Sequence, residues 1–292
     1  MNLVDTMESW PKKIDNYNDL PEIFEISFKA LMYDTDAFPY TVFIPSNPFN
    51  PRKSKPKLIS ILNDKVYILE KLRREVKSIC YPFKSITYVE TASILLNSWL
   101  RIHGVLNGES TSTTIEFNTT RKDLFIPIIK TIRSSINEFD HGDIGYEIAK
   151  LNYLKAISLK FLNYSKRSIM QGEKISNIVY QPEMWTKFLK HFNRRLSPSH
   201  ITILTDKELI IIKEYNNLKN SKDCSYGGVW SYIPLHRIKF ISLEDTENKD
   251  IINLVVNFKN DNNITISFSL SNKSDLDSLI EGFLKLSRLY SA

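Results

Sequence analysis

Five short blocks of this chain occur twice, in the same order. Ile61-Leu62-Asn63-Asp64-Lys65 reads against Ile203-Leu204-Thr205-Asp206-Lys207, and an apolar run follows each: Val66-Tyr67-Ile68-Leu69 and Leu209-Ile210-Ile211-Ile212. Tyr81-Pro82-Phe83-Lys84-Ser85-Ile86 reads against Ile233-Pro234-Leu235-His236-Arg237-Ile238. Thr114-Ile115-Glu116-Phe117 reads against Thr265-Ile266-Ser267-Phe268, and Asp123-Leu124 against Asp275-Leu276. The separations stay between 142 and 152 residues. That period is far above the roughly 20–50 residues of a solenoid repeat, so the chain carries a duplicated domain. Its 292 residues hold two domains of ordinary size.

Each copy is β-rich and ends in a helix. Ile115 and Phe117 alternate with polar neighbours, as do Ile264, Ile266, Phe268 and Leu270. This period of two marks strands with one buried face. Asn63-Asp64 and Thr205-Asp206 interrupt apolar runs with turn-forming residues, which reads as a hairpin in each copy. Pro82 and Pro234 are read at the start of a strand, where a missing N–H is tolerated. Leu124, Ile128, Ile132 and Ile136 form one closing helical stripe, and Leu276, Ile280 and Leu284 the other, with an N-cap for the second within Ser271–Ser274. Between the copies, Ile144, Ile148, Leu151, Leu154, Ile157, Phe161 and Tyr164 fall on one face of a long helix over Ile144–Tyr164. Ile175–Tyr180 reads as the first strand of the second copy. A short helix near the N-terminus would place Ile23, Ile26 and Ala30 together. Met184–Leu196 fits a helix or extended chain.

The hairpin Leu58–Lys71 with its copy Ile201–Glu214, the two proline-marked strands and the two closing helices resemble the pleckstrin-homology-like superfold. Phe38-Pro39-Tyr40-Thr41, Cys80-Tyr81-Pro82-Phe83, Ile115-Glu116-Phe117-Asn118-Thr119 and Ile203-Leu204-Thr205-Asp206 resemble recurring phrases of bacterial tandem pleckstrin-homology-like proteins. The likeness spans roughly residues 38 to 290. It implies a β-rich α+β chain of two pleckstrin-homology-like β-sandwich or partly open barrel domains, each closed by a C-terminal helix and joined by a long helix. The divisions are an N-terminal segment with a short helix (1–36), a first domain (37–137), a helical linker (138–172) and a second domain (173–292). The shared phrases are structural, and the resemblance implies no active site and no inositol-lipid ligand. Fold alone does not fix function.

Candidate chemistry is sparse. The five histidines, His103, His141, His191, His200 and His236, form no close metal-ligand spacing, and Cys80 and Cys224 form no CxxC pair. Phosphate-loop, dinucleotide and nucleophile-elbow motifs are absent, and only 8 glycines are present to build such loops. The expectation is a non-enzymatic binding or scaffolding module with no catalytic residue, metal or cofactor, engaging a protein or peptide by addition to an edge strand.

Charge carries the alternative. Lys+Arg number 39 against 33 Asp+Glu, a net +6, which favours acidic partners without demanding them. Arg52, Lys53, Lys55 and Lys57 fall in one loop beside Phe49, an arrangement suited to weak docking on an anionic membrane surface. Lys187, Lys190, His191, Arg194 and Arg195 would stripe one side of a helix, if that stretch is one, opposite Trp185, Phe188, Leu189 and Phe192. Nucleic acid is not expected, for want of a recognition helix or paired aromatic strands. No transmembrane helix is expected, since no apolar run reaches about 18 residues. Met1–Pro21 lacks the apolar core of a secretory signal. The expected location is cytoplasmic.

Overall fold

The computed structural model describes residues 7, 9–32, 37–46, 54–95, 97–137, 144–188, 192–215 and 227–289, with backbone alone at 187–188, 192–194 and 289. The chain is a β-rich α+β protein of antiparallel sheets, and it divides into two compact units: residues 1–86 with 93–136, and residues 87–92 with 137–292.

In the first unit, β1 (Lys12–Ile14), β2 (Tyr40–Ile44), β3 (Lys57–Leu62), β4 (Lys65–Lys71) and β5 (Val76–Pro82) form one sheet in that order. The expected hairpin at Asn63-Asp64 is present. Both residues take left-handed angles, φ 48° and 56°. Asn and Asp tolerate that region, and two in succession make a turn whose twist matches a hairpin.

A helix, α1 (Glu22–Lys29), packs on this sheet, but not through the face read from the sequence. Phe24 and Phe28 are buried with Ile14, Leu58 and Leu69, while Ile23 and Ile26 are exposed. Both stripes have helical spacing. The one carrying two aromatic rings removes more apolar area from water and gains edge-to-face contacts with Phe43 and Tyr17.

The strand β6 (Ile86–Ile94) gives only its ends to this unit. Next, β7 (Asn97–Leu106) and β8 (Glu109–Asn118) pair through a turn at Asn107 and Gly108, φ 53° and 83°. The closing helix, α2 (Ile126–Ile136), buries Ile128 and Ile132 as its stripe requires. Within β7, Gly104 lies so close to the end of β5 and the turn after it that an added Cβ would sit 2.7 Å from the Ser85 carbonyl oxygen and 3.2 Å from the Tyr81 ring.

The second unit takes Thr87–Ala92 from β6. The long helix expected over Ile144–Tyr164 is instead three short ones: α3 (Ile144–Ala149), α4 (Leu154–Ile157) and α5 (Leu159–Ser168). Ser158 breaks the run. Its backbone is extended (φ −159°, ψ 105°), and its hydroxyl accepts the Phe161 N–H at 3.4 Å, capping α5. Serine favours that role over a helix interior. Leu151, Leu154 and Phe161 are buried, but the break turns Ile157 outward, 52% exposed.

Then follow β9 (Ile175–Gln181), the hairpin β10 (Met184–Phe188) and β11 (Phe192–Ser197), β12 (His200–Thr205), β13 (Glu208–Glu214), β14 (Gly227–Pro234), β15 (Ile238–Asp245), β16 (Ile251–Phe258) and β17 (Asn263–Ser269). Met184–Leu196, open between two readings in the sequence, is therefore extended. Within the unit one sheet runs β6-β14-β13-β12-β9 and another β15-β16-β17. Residues 200–205 and 208–212 are buried on alternate sides without interruption, which explains the continuous apolar run at Leu209–Ile212. One side joins the core of Val179, Leu204, Ile211, Leu254 and Phe268.

The last helix, α6 (Lys273–Leu289), buries Leu276, Leu279 and Phe283, while Leu284, assigned to the stripe from sequence, is 49% exposed. Its Gly282 faces Asn177 and Ser176 of β9 too closely for a side chain, so the helix lies tight on that strand. The 3-10 turn leading into it, Leu270–Asn272, is capped by Ser269, whose hydroxyl accepts the Ser271 N–H.

The two prolines also move from their expected place. Pro82 and Pro234 end β5 and β14 and open 3-10 turns at Phe83–Ser85 and Leu235–Arg237. Proline's fixed φ suits the entry to such a turn. In each case the N–H after the proline donates to the preceding hairpin turn: Phe83 to Asp64 O and Leu235 to Lys207 O, both 2.9 Å.

Candidate functional site

Of the five residues of the basic loop singled out from sequence, Lys55 and Lys57 are among the described ones. Phe49, Arg52 and Lys53 lie outside the described residues. Lys55 is exposed. Lys57 opens β3, half-buried, with its ammonium 3.3 Å from Glu70, its register partner on β4. In the second basic cluster, Lys190 and His191 lie outside the described residues. Trp185 is half exposed, and Arg195 turns between Glu183 and Glu214, 3.2 Å from each. Glu214 also takes Lys160 at 2.9 Å. Aromatic rings lie beside these four charges: Tyr164 stands edge-on to Trp230 and Phe161 edge-on to Tyr180. Burial, then the Glu214 carboxylate, raises the Tyr164 phenol. The cluster ties α5, β11 and β13 into one surface.

Two histidines are shifted down. His200 is buried on Phe268, with ring centroids 4.7 Å apart, and its Nδ1–H donates to the Pro198 carbonyl at 3.0 Å. Burial lowers its pKa to about 4, and its Nε2 has no partner among the described residues. His236, in the 3-10 turn after β14, is also lowered to about 4, by burial and then by Arg237 and Lys259.

Buried carboxylates are accounted for by hydrogen bonds. Glu147 accepts the Ile175 N–H at 2.6 Å and pairs with Lys150. Glu173 accepts the Thr205 hydroxyl at 3.2 Å, and Glu208 accepts the Asn137 amide at 3.0 Å. No three His, Cys, Asp or Glu side chains converge as a metal-holding group among the described residues.

The most distinctive surface is the outer edge of β8. The strand pairs with β7 over all ten residues, Asn97↔Asn118 to Leu106↔Glu109, without a register shift. Among the described residues β8 has a neighbour on one side alone. Ile115 and Phe117 anchor it inward, and Phe117 stacks on Phe125. Thr113 meets the Tyr81 hydroxyl at 2.8 Å. The Arg101 guanidinium, lying over Trp99 at 4.7 Å, donates to the Thr114 hydroxyl at 2.8 Å.

Soluble proteins usually blunt an exposed edge with a bulge, a proline or a lysine. The sequence Glu-Ser-Thr-Ser-Thr-Thr-Ile-Glu-Phe-Asn has neither proline nor lysine, and its register has no bulge. Chemically such an edge offers a row of backbone donors and acceptors to another extended chain. Two signals in the sequence mark β8 as a strand, Asn107-Gly108, a strong hairpin turn, and the Ser/Thr run after it, but neither marks it as an edge.

No helix among the described residues is long and apolar enough to cross a membrane. Compared with known proteins, the chain matches no protein-family model and no curated protein.

Proposed function

We propose that this protein is a non-enzymatic binding module that takes an extended peptide segment of a protein partner along β8. The unprotected ten-residue edge of β8 carries the reading. Main-chain pairing would supply affinity, and the alternating side chains of Ser110, Ser112, Thr114 and Glu116 would supply selectivity. Two pleckstrin-homology-like domains provide the frame. Four strands, a 3-10 turn, three strands, a second 3-10 turn and a helix follow in both copies once the hairpin β10–β11, inserted after β9, is set aside, and the matched Phe83 and Leu235 hydrogen bonds support that frame. The proposed location is the cytoplasm. Docking of the basic loop on an anionic surface is the weaker reading, since Lys57 is engaged by Glu70.

Selection of a displayed peptide library on the full chain tests this. Bound peptides should slow amide exchange across residues 109–118, and Ser112→Pro should abolish binding while the circular dichroism spectrum is kept. Protection of other strands, or binding unchanged by Ser112→Pro, would refute it.

A further inference from the structure

The pairing of β6 with β14 satisfies only half of what the duplication offers. Within the second unit β14 has β13 on one side and β6 on the other. The contact is specific. Ser231 donates to Glu90 at 3.1 Å, Asn260 donates to Thr87 at 3.3 Å, and Tyr88 stacks on Phe258 at 5.1 Å. Lys259, beside Asn260, bonds through its N–H to Arg237 O, just past the end of β14. Thr87 therefore lies at the end of β14 and Glu90 farther back, so the two strands run antiparallel.

Pro82 and Pro234, and Ile86 and Ile238, each stand 152 positions apart. By that offset β5 is the counterpart of β14, and β15 the counterpart of β6. Among the described residues both counterparts are edges: β5 pairs with β4 alone and β15 with β16 alone. Their exposure follows. Ser231 and Tyr232 are buried, but Ile79 and Cys80, their equivalents on β5, are half-buried. Thr87 is buried and Tyr88 half-buried, but Lys239 and Phe240, their equivalents on β15, are exposed, Phe240 by 47%.

We propose that β15 of one molecule pairs antiparallel with β5 of the next, so that the chain assembles head to tail with copies of itself. The occupant is a second copy because the contact repeats one the chain already makes. Carried over by the same offset, the Glu90–Ser231 pair places Ser242 opposite Ile79. Two residues on, Glu244 then faces Lys77, both exposed and opposite in charge. Two residues the other way, Phe240 faces Tyr81, the position at which Tyr88 meets the Ile233 region of the core. The bulge of β15 lies at Lys239, at the end of this stretch, and leaves Phe240–Asp245 regular. The contact is heterologous, so it propagates until it closes as a ring or continues as a filament. It is separate from the β8 edge.

The test is sedimentation of the full chain over a concentration series. The wild type should gain mass beyond a dimer as concentration rises. Glu244→Lys and Lys77→Glu alone should each weaken association by about tenfold or more, because like charges then meet. An equimolar mixture of the two variants should assemble again, since each then meets an opposite charge on the other. Circular dichroism checks that both variants are folded, and amide exchange in the wild type should slow at β5 and β15 with rising concentration. A single-chain mass at every concentration, a closed symmetric dimer indifferent to both reversals, or a mixture that stays dissociated would each overturn the proposal.

Discussion

Tyr88 lies flat against Phe258, with ring centroids 5.1 Å apart and planes within 11° of parallel. These residues sit 170 positions apart in sequence, and their contact brings a strand of the first copy into the core of the second unit. A double-mutant cycle with Tyr88→Leu and Phe258→Leu should give a coupling of about 1 kcal/mol by urea denaturation. Additive variants would show that the rings merely adjoin.

Stability should fall as the solution is acidified through the range set by His200. Its folded pKa is about 4, below the ordinary value of 6.5. The unfolded chain therefore binds more protons between these values. The stability of the neutral buried ring is fully present above pH 6.5 and is lost as pH falls toward 4. The loss is on the order of 3 kcal/mol. In His200→Gln that acid-dependent component should disappear from melting temperatures recorded between pH 7 and pH 4. An unchanged slope would assign it elsewhere.

Gly104→Val should destabilise the first unit by roughly 1–3 kcal/mol. A Cβ there meets the Ser85 backbone oxygen, which cannot move without displacing the 3-10 turn. Gly108→Val, at a left-handed position with open space around it, should act through backbone strain instead. Its loss should be recovered by Gly108→Asn, whereas Gly104→Asn should remain unstable in the same denaturation assay.

Leu151→Asp should cost about 3 kcal/mol or more, since it puts a carboxylate where the side chain is fully buried. Ile157→Asp should stay within about 0.5 kcal/mol. Equal melting temperatures for the two variants would contradict the break at Ser158.

The same contrast shows what the sequence could reveal. Strands, hairpin turns and the closing helices were legible because alternation and turn residues are local signals. Helix faces were not. Ile23 and Phe24 both lie on plausible stripes of α1, and only the tertiary partner decides between them. Leu284 keeps helical spacing with Leu276, yet the helix rotates to seat Phe283 and to bring Gly282 onto β9. The edge of β8 and the pairing of β6 with β14 were invisible for a different reason. Which strand stands at the margin of a sheet depends on contacts far apart in the chain, and no short pattern encodes that. Of the basic loop, sequence showed the charges but not the engagement of Lys57 by Glu70.

The span between Glu90 and Ser231 has a consequence for biosynthesis. Glu90 leaves the ribosome 141 residues ahead of its partner. At roughly 5–20 residues per second, the nascent strand waits on the order of ten seconds for β14. During that interval its backbone groups are open to any extended chain nearby, including another nascent copy on the same message. Faster translation of residues 95–230 would shorten the wait, and chaperone dependence of the yield should fall with it.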